Sequence, residues 1–197
     1  VHASRDDIAR VFAADFGQNI FRVPIEERRR KLLAIDWVAD ATVARIWPNR
    51  LTVRIEERRP VAFVHLRQGA AGTRPALIDA EGVILRQPAR ARFSFPLVSG
   101  IDERQPESAR RDKVRRMLRL VKELGETAAR VTEVDVSSAE ILTSIEVDGR
   151  EVELLVGESN YGQRVRNFLK HYPEIRKGSA AVSSFDLRLD DRITARE

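Results

Sequence analysis

Asp148-Gly149 stands between two runs of strand-forming residues, Ile141–Val147 and Glu151–Val156. Asp-Gly lets both central residues of a turn take positive φ at low cost. That is what a type I′ turn requires, and its twist matches that of two paired strands. The pattern predicts a tight antiparallel hairpin and so fixes a sheet against which the neighbouring segments must pack. A helix is expected over about Glu107–Leu124, with Val114, Met117, Leu118, Val121 and Leu124 on one face, Arg115, Arg116, Arg119 and Lys122 on the other, and Gly125 as its stop. A second is expected over about Ser159–Tyr172, where Val165, Phe168, Leu169 and Tyr172 recur at helical spacing, Ser159 caps and Pro173 stops. Further strands are expected at Val131–Val136 and Val182–Leu189, and Asp79-Ala80-Glu81-Gly82 reads as a turn between Ala76-Leu77-Ile78 and Val83-Ile84-Leu85.

The first third of the chain has a different order. Ser4 and Asp7 have capping-box spacing, and Ile8, Val11, Phe12 and Phe16 then form one apolar stripe up to Gly17. Asn19–Val23 reads as short and extended. Pro24 opens a second helix that runs to about Ile35, with Ile25, Leu32 and Leu33 on one face and Glu26–Arg30 and Glu27–Lys31 as i, i+4 pairs. Ala41–Trp47 and Leu51–Ile55 then read as a hairpin around Pro48-Asn49-Arg50, with Pro60 breaking the ladder and Val61–Leu66 resuming it as an edge or a new strand. Two helices on a short sheet, followed by strands and two more helices, is an α+β organisation. Gln68–Pro75 is the segment with the weakest order, a candidate boundary or a mobile hairpin loop.

Chemistry is hard to find. No cysteine is present, which excludes disulfides, thiolate zinc sites and cysteine nucleophiles. His2, His65 and His171 lack ligand spacing and read as surface residues. There is no phosphate-binding glycine loop and no nucleophile elbow, and no carboxylate pair is singled out by spacing. Gly157-Glu158-Ser159-Asn160 could hold an anion at a helix start, but Ser159 as a cap explains it more simply. The chain carries 43% hydrophobic and 33% charged residues, too much apolar material for a disordered segment, and only 6% aromatics, so any core is mainly aliphatic. The net charge of +5 is spread out: 12 basic against 9 acidic residues precede the end of Leu66, and 23 against 21 follow. Neither part resembles a nucleic-acid-binding tail. The cations of the third helix are the best nucleic-acid argument, but acidic neighbours dilute them and no aromatics interleave with them. No apolar run approaches the roughly 18–20 residues that cross a bilayer. Since the chain does not begin with Met, a processed or excised fragment is expected, from which a targeting or membrane segment could have been removed upstream.

The reading that remains is a surface. Phe185-Asp186-Leu187-Arg188-Leu189 alternates and is the last strand expected. At a sheet edge its outer N–H and C=O groups would accept a strand from another chain, and Asp190-Asp191-Arg192 would guard the same edge against self-association.

At this point the residues point to a family. Asn19-Ile20-Phe21-Arg22-Val23, Asp36-Trp37-Val38, Ala41-Thr42-Val43-Ala44-Arg45, Trp47-Pro48-Asn49-Arg50-Leu51 and Glu57-Arg58-Arg59-Pro60-Val61-Ala62 resemble the FtsQ/DivIB cell-division proteins. Leu77–Val83, Phe95–Gly100, Gly157 with Arg164, Phe168 and Tyr172-Pro173, and Phe185-Asp186-Leu187-Arg188 continue the resemblance over essentially the whole chain. It implies a POTRA domain over residues 1–66, with its first strand cut off upstream, and an FtsQ-type β domain over 67–197. Trp37, Trp47 and Pro48 read as packing and turn residues. The resemblance also implies a non-enzymatic, cofactor-free scaffold that is anchored by one membrane span, with this region on the extracytoplasmic side. Its β domain would bind FtsB- and FtsL-like partners, and its POTRA domain would contact other membrane division proteins. The partner-binding residues carried over are Phe185, Asp186, Leu187, Arg188, Leu189, Asp190, Asp191, Arg192 and Ile193, with Leu189 standing where many members have an aromatic. The competing readings are a POTRA module for outer-membrane protein assembly or secretion, and a nucleic-acid binder using the third helix. A single POTRA unit followed by a helix and a short sheet argues against the first of these.

Overall fold

A computed structural model describes residues 2–67, 72–88, 91–178, 182–190 and 192–196. The chain divides into two compact units, Val1–Pro60 with Leu85–Arg90, and Val61–Ile84 with Ala91–Glu197.

In the first unit, α1 (Arg5–Val11) and α2 (Ile25–Leu33) precede a two-stranded antiparallel sheet of β1 (Val38–Ile46) and β2 (Arg50–Glu57). The Ser4 side chain accepts from the Asp7 N–H and caps α1 as expected. The helix ends at Val11, however, so Phe16 leaves the stripe and stands in solvent. Asn19–Val23 is not extended. Ile20–Arg22 forms a 3-10 turn, because the Asn19 carboxamide accepts the Phe21 N–H at 2.9 Å and offers the backbone a local alternative to a strand. Arginines hold these loops to the sheet and helices. Arg45 on β1 donates to the carbonyls of Ile20 at 2.9 Å and Val23 at 2.7 Å, and Arg29 on α2 donates to that of Ala41 at 2.7 Å. Arg28 and Asp15, both nearly buried, form a two-point pair at 2.6 and 2.8 Å. Leu32, Val38, Ala41 and Val43 pack inside with Trp37, whose indole N–H donates to the Arg86 carbonyl at 3.0 Å. Trp37 is thus a packing residue, but Trp47 is not: it is 81% exposed on a hairpin loop whose Trp47–Pro48 peptide is cis.

The larger sheet has nine strands in the order β11-β10-β9-β8-β7-β6-β3-β4-β5. They are β3 (Pro60–Arg67), β4 (Thr73–Asp79), β5 (Ile84–Leu85), β6 (Leu97–Ser99), β7 (Val131–Asp135), β8 (Ile141–Val147), β9 (Arg150–Gly157), β10 (Ser184–Asp186) and β11 (Thr194–Ala195). The sequence reading ends the first unit at residue 66. In the structure Val61–Leu66 is part of this larger sheet: β3 runs parallel to β6, and the Phe63 N–H donates to the Pro96 carbonyl. Pro60 interrupts the N–H ladder at this point and lets the chain leave one sheet for another. Of the expected boundary segment, residues 68–71 lie outside those described, and Thr73 already begins β4. The β8–β9 hairpin is as expected, with Asp148 at φ 51° and Gly149 at φ 73°.

Two helices pack with this sheet, α3 (Glu107–Leu124) and α4 (Tyr161–Gly178). α3 buries Val114, Met117, Leu120 and Leu124, while Leu118 and Val121 are only half-buried, so its inner face is rotated from the one expected. α4 starts two residues later than expected and runs through Pro173. Pro173 is exposed, so its ring lies on the solvent side of the helix, opposite the buried Phe168 and Tyr172. Gly162 lets the two helices touch: a Cβ there would lie 2.2 Å from the Glu123 carbonyl oxygen. The cations of α3 serve this packing. Arg116 donates to the carbonyls of Val136, Ser138 and Ala139, and Arg119 pairs with Glu123 at 3.0 Å and lies over the Tyr161 ring.

Arg28→Ala leaves the nearly buried Asp15 carboxylate without its partner. It should destabilise the first unit by about 1–3 kcal/mol in urea unfolding, whereas Arg10→Ala, which removes an exposed partner of Asp7, should cost under about 1 kcal/mol.

Candidate functional site

The expected terminal strand is shorter than its sequence pattern, and it is not the edge. Only Ser184–Asp186 is a strand, and both sides of it are occupied within the chain. On the inner side it runs parallel to β9. The Glu153 N–H donates to the Ser183 carbonyl at 2.8 Å and the Leu187 N–H to the Leu155 carbonyl at 2.9 Å. On the outer side β11 pairs antiparallel, with Phe185 opposite Ala195, Asp186 opposite Thr194, and the Arg196 N–H on the Ser184 carbonyl at 2.9 Å. The sequence-level expectation that β10 presents an open rim is therefore corrected. In an antiparallel ladder, successive residues turn their N–H and C=O to opposite sides. Since Arg196 bonds inward to β10, Ala195 turns its backbone groups outward, and β11 is the last strand of the sheet on that side.

Side chains anchor this corner. Phe185 and Leu187 are buried, and the Phe185 ring lies 5.1 Å from that of Phe168 and 6.5 Å from that of Tyr172, centroid to centroid. Leu187, proposed from sequence as a partner contact, is therefore core. Arg188 is exposed yet occupied: its guanidinium bonds both Asp186 oxygens and reaches Glu140 at 3.0 Å. The side-chain hydrogen bond from Arg188 holds the Asp186 carboxyl below the usual carboxylate range, and the two acids raise the Arg188 pKa. Asp190 receives Arg164 at 2.8 Å, and Arg164 also donates to the Val156 carbonyl. Gly157, at φ 77°, makes room for this. A Cβ there would lie 2.9 Å from the Arg164 guanidinium and 3.3 Å from the Arg188 side chain. Leu189 is 58% exposed, Arg192 is exposed and Ile193 is half-buried, while Asp191 lies outside the described residues.

The structure thus sorts the eight expected residues that are described into two buried anchors, a clamp of Asp186 and Arg188, and an outer group made of Leu189, Asp190, Arg192 and Ile193. Sequence reasoning missed Thr194, Ala195 and Arg196. A charged turn followed by the β-branched pair Ile193-Thr194 was the available signal, but a two-residue strand has no alternation to detect. Arrangements of this kind can position a polypeptide. Among the described residues, no group of three or more acidic or imidazole side chains could hold a metal, and no helix is long and apolar enough to cross a membrane.

Family comparison agrees with this architecture. The model described as POTRA domain, FtsQ-type, matches residues 1–58, and that described as cell division protein FtsQ/DivIB, C-terminal, matches residues 66–188. The chain belongs to the FtsQ/DivIB cell-division family. Cell division protein FtsQ of Koribacter versatilis is 37% identical over 199 residues, covering 98% of this chain and 56% of that protein. FtsQ of Syntrophotalea carbinolica is 25% identical over 186 residues, covering 90% of this chain and 63% of that protein. FtsQ of Bordetella pertussis is 43% identical over 62 residues. The chain therefore spans little more than half of the length of the first two relatives. An α+β chain with a POTRA-type unit followed by an FtsQ-type β domain replaces the outer-membrane assembly reading. The C-terminal family match ends at Arg188, so β11 lies beyond it.

Leu187→Pro removes a buried side chain and the hydrogen bond to Leu155. It should unfold the corner or destabilise the second unit by roughly 3 kcal/mol or more in urea titration, which makes it a fold variant rather than a binding variant. The clamp adds a pH dependence. Because the folded Asp186 pKa is depressed, its contribution is complete above the unfolded carboxyl pKa of about 3.9 and is lost as pH falls through the lower folded value. A carbon-13 titration should place the Asp186 midpoint below about 3.9, and Arg188→Gln should move it upward.

Proposed function

We propose that this chain is the docking region of a division scaffold, and that it takes a strand of a partner along the outer side of β11. The carrying observation is the outward-turned backbone of Ala195 on the terminal strand of a nine-stranded sheet. Strand addition draws affinity from main-chain bonds and specificity from side chains beside them. Leu189, Asp190, Arg192 and Ile193 supply the latter in this reading. FtsB- and FtsL-like proteins are the partner class, following the family resemblance. The POTRA unit contacts other membrane division proteins. The chain acts from the extracytoplasmic side of a protein held by a single membrane span, and it docks rather than catalyses. The domain division that goes with this reading is a POTRA domain over about residues 1–66 and a β domain over the rest, with β3 joined to the β-domain sheet.

Ala195→Pro provides the test. It deletes an N–H that points away from β10, at an edge position where proline is tolerated. Calorimetry with a synthetic peptide of an FtsB-like partner should show at least a tenfold loss of affinity, with the urea midpoint unchanged. Unaltered affinity in the folded variant would remove β11 as the docking strand.

A further inference from the structure

Of the five large hydrophobic side chains that stand exposed among the described residues, four belong to the first unit: Phe16 at 79%, Trp47 at 81%, Phe21 at 69% and Ile46 at 47%. They gather at one end of it. Arg45 ties the Ile20–Arg22 turn to the end of β1 through the carbonyls of Ile20 and Val23. Phe16, Gly17, Gln18 and Ile20 line one groove together with Asn49, Arg50 and Leu51 of the β1–β2 loop. Cations predominate at this end, since the carboxylate of Asp15, which also lines the groove, is held by Arg28. Residues 16–25 and 41–55 contain Arg22, Arg45, Arg50 and Arg54 and no Asp or Glu. Ile46 lies opposite Arg50 in the ladder, so an apolar side chain and a cation share the outer face at the tip.

We infer that this hairpin-tip end of the first unit is a docking surface for an anionic lipid bilayer, with Trp47, Phe21 and Phe16 entering the headgroup zone and Arg22 and Arg50 lying against lipid phosphates. Aromatic rings are favoured at the membrane–water interface because one face of the zone is apolar and the other wet. Basic residues beside them gain from the negative surface potential of anionic leaflets. Trp47 and Phe21 stand on turns outside the groove that Phe16 lines. That suits a soft planar interface, whereas a protein partner would need a shape to match. Nucleic acid would use the arginines but not the exposed Ile46 and Phe16. The surface involves residues of the first unit alone, and none belongs to the β11 edge.

The chain has two tryptophans, and Trp37 is buried, so Trp47 reports on the tip. The whole chain is mixed with vesicles of phosphatidylcholine and phosphatidylglycerol, with pure phosphatidylcholine as comparison. Flotation with the anionic vesicles is expected, accompanied by a blue shift of the Trp47 emission and its quenching by brominated acyl chains. Arg22→Gln and Arg50→Gln should each lower partitioning about fivefold, and added salt should lower it further. Trp47→Ser should abolish the shift and weaken flotation, while near-ultraviolet circular dichroism from Trp37 confirms that the variant is folded. The inference is overturned by an absence of flotation, by flotation without a change at Trp47, or by flotation that all three variants retain. A dimer in sedimentation equilibrium that Trp47→Ser dissolves would assign the tip to a second copy of this chain and overturn it equally.

Discussion

The corner of the large sheet depends on Phe185. Its ring is buried against Phe168 and Tyr172 of α4, and Leu187 is buried two residues later. Full burial of such side chains stabilises by about 1.5–3 kcal/mol each. It also fixes the register, since a one-residue slip of β10 would put Asp186 and Arg188 in the core and both hydrophobic residues in water. With β10 fixed, Arg188 reaches both Asp186 and Glu140, and Asp190 meets Arg164. Only then does the chain turn back far enough for β11 to pair. The edge is thus a consequence of α4 packing, and α4 is in turn set by the close approach of Gly162 to α3.

Much of this was legible in the sequence where local chemistry and the global fold agree. Asp148-Gly149 fixed a turn, Ser4 fixed a cap, and α3 has enough turns for periodicity to show. The failures share one physical cause: a tertiary contact outweighed a local preference. Pro173 stays inside a helix because α4 buries Tyr172 and Phe168 on one side and leaves the proline in solvent on the other. Ile20–Arg22 coils because Asn19 bonds the Phe21 N–H locally and Arg45, twenty-five residues away from Ile20, adds a hydrogen bond outside any local window. β11 escaped notice because it exists only by virtue of the strand beside it. By sequence the motif residue Trp47 reads as packing like Trp37, and nothing in the hydrophobicity of a tryptophan distinguishes one inside from one on a loop.

The family resemblance carries partner-binding roles onto residues 185–193, and the fold gives these residues different surroundings. Phe185 and Leu187 have sequence positions that suit a partner and physical positions that suit a core. Arg188, the obvious charge to offer an acidic ligand, is already committed to two acids of its own chain. What is left for an incoming polypeptide is a rim of backbone and a few half-exposed side chains beside it.

That division has an energetic consequence. A partner strand laid on β11 can meet the outward N–H and C=O of Ala195, because Thr194 and Arg196 turn theirs toward β10, and each main-chain bond contributes a net of about 0.5–1.5 kcal/mol. Micromolar affinity requires roughly 8 kcal/mol. Backbone pairing over so short a strand therefore sets the alignment but leaves most of the affinity to side chains. Apolar area at Leu189 and Ile193 and the charges of Asp190 and Arg192 are the nearest sources. The same shortness protects the chain from itself, because an edge of two residues flanked by charges is a poor template for another copy. An edge that relies on flanking side chains for its strength binds selectively, since a foreign strand can satisfy the backbone and still find nothing to hold it.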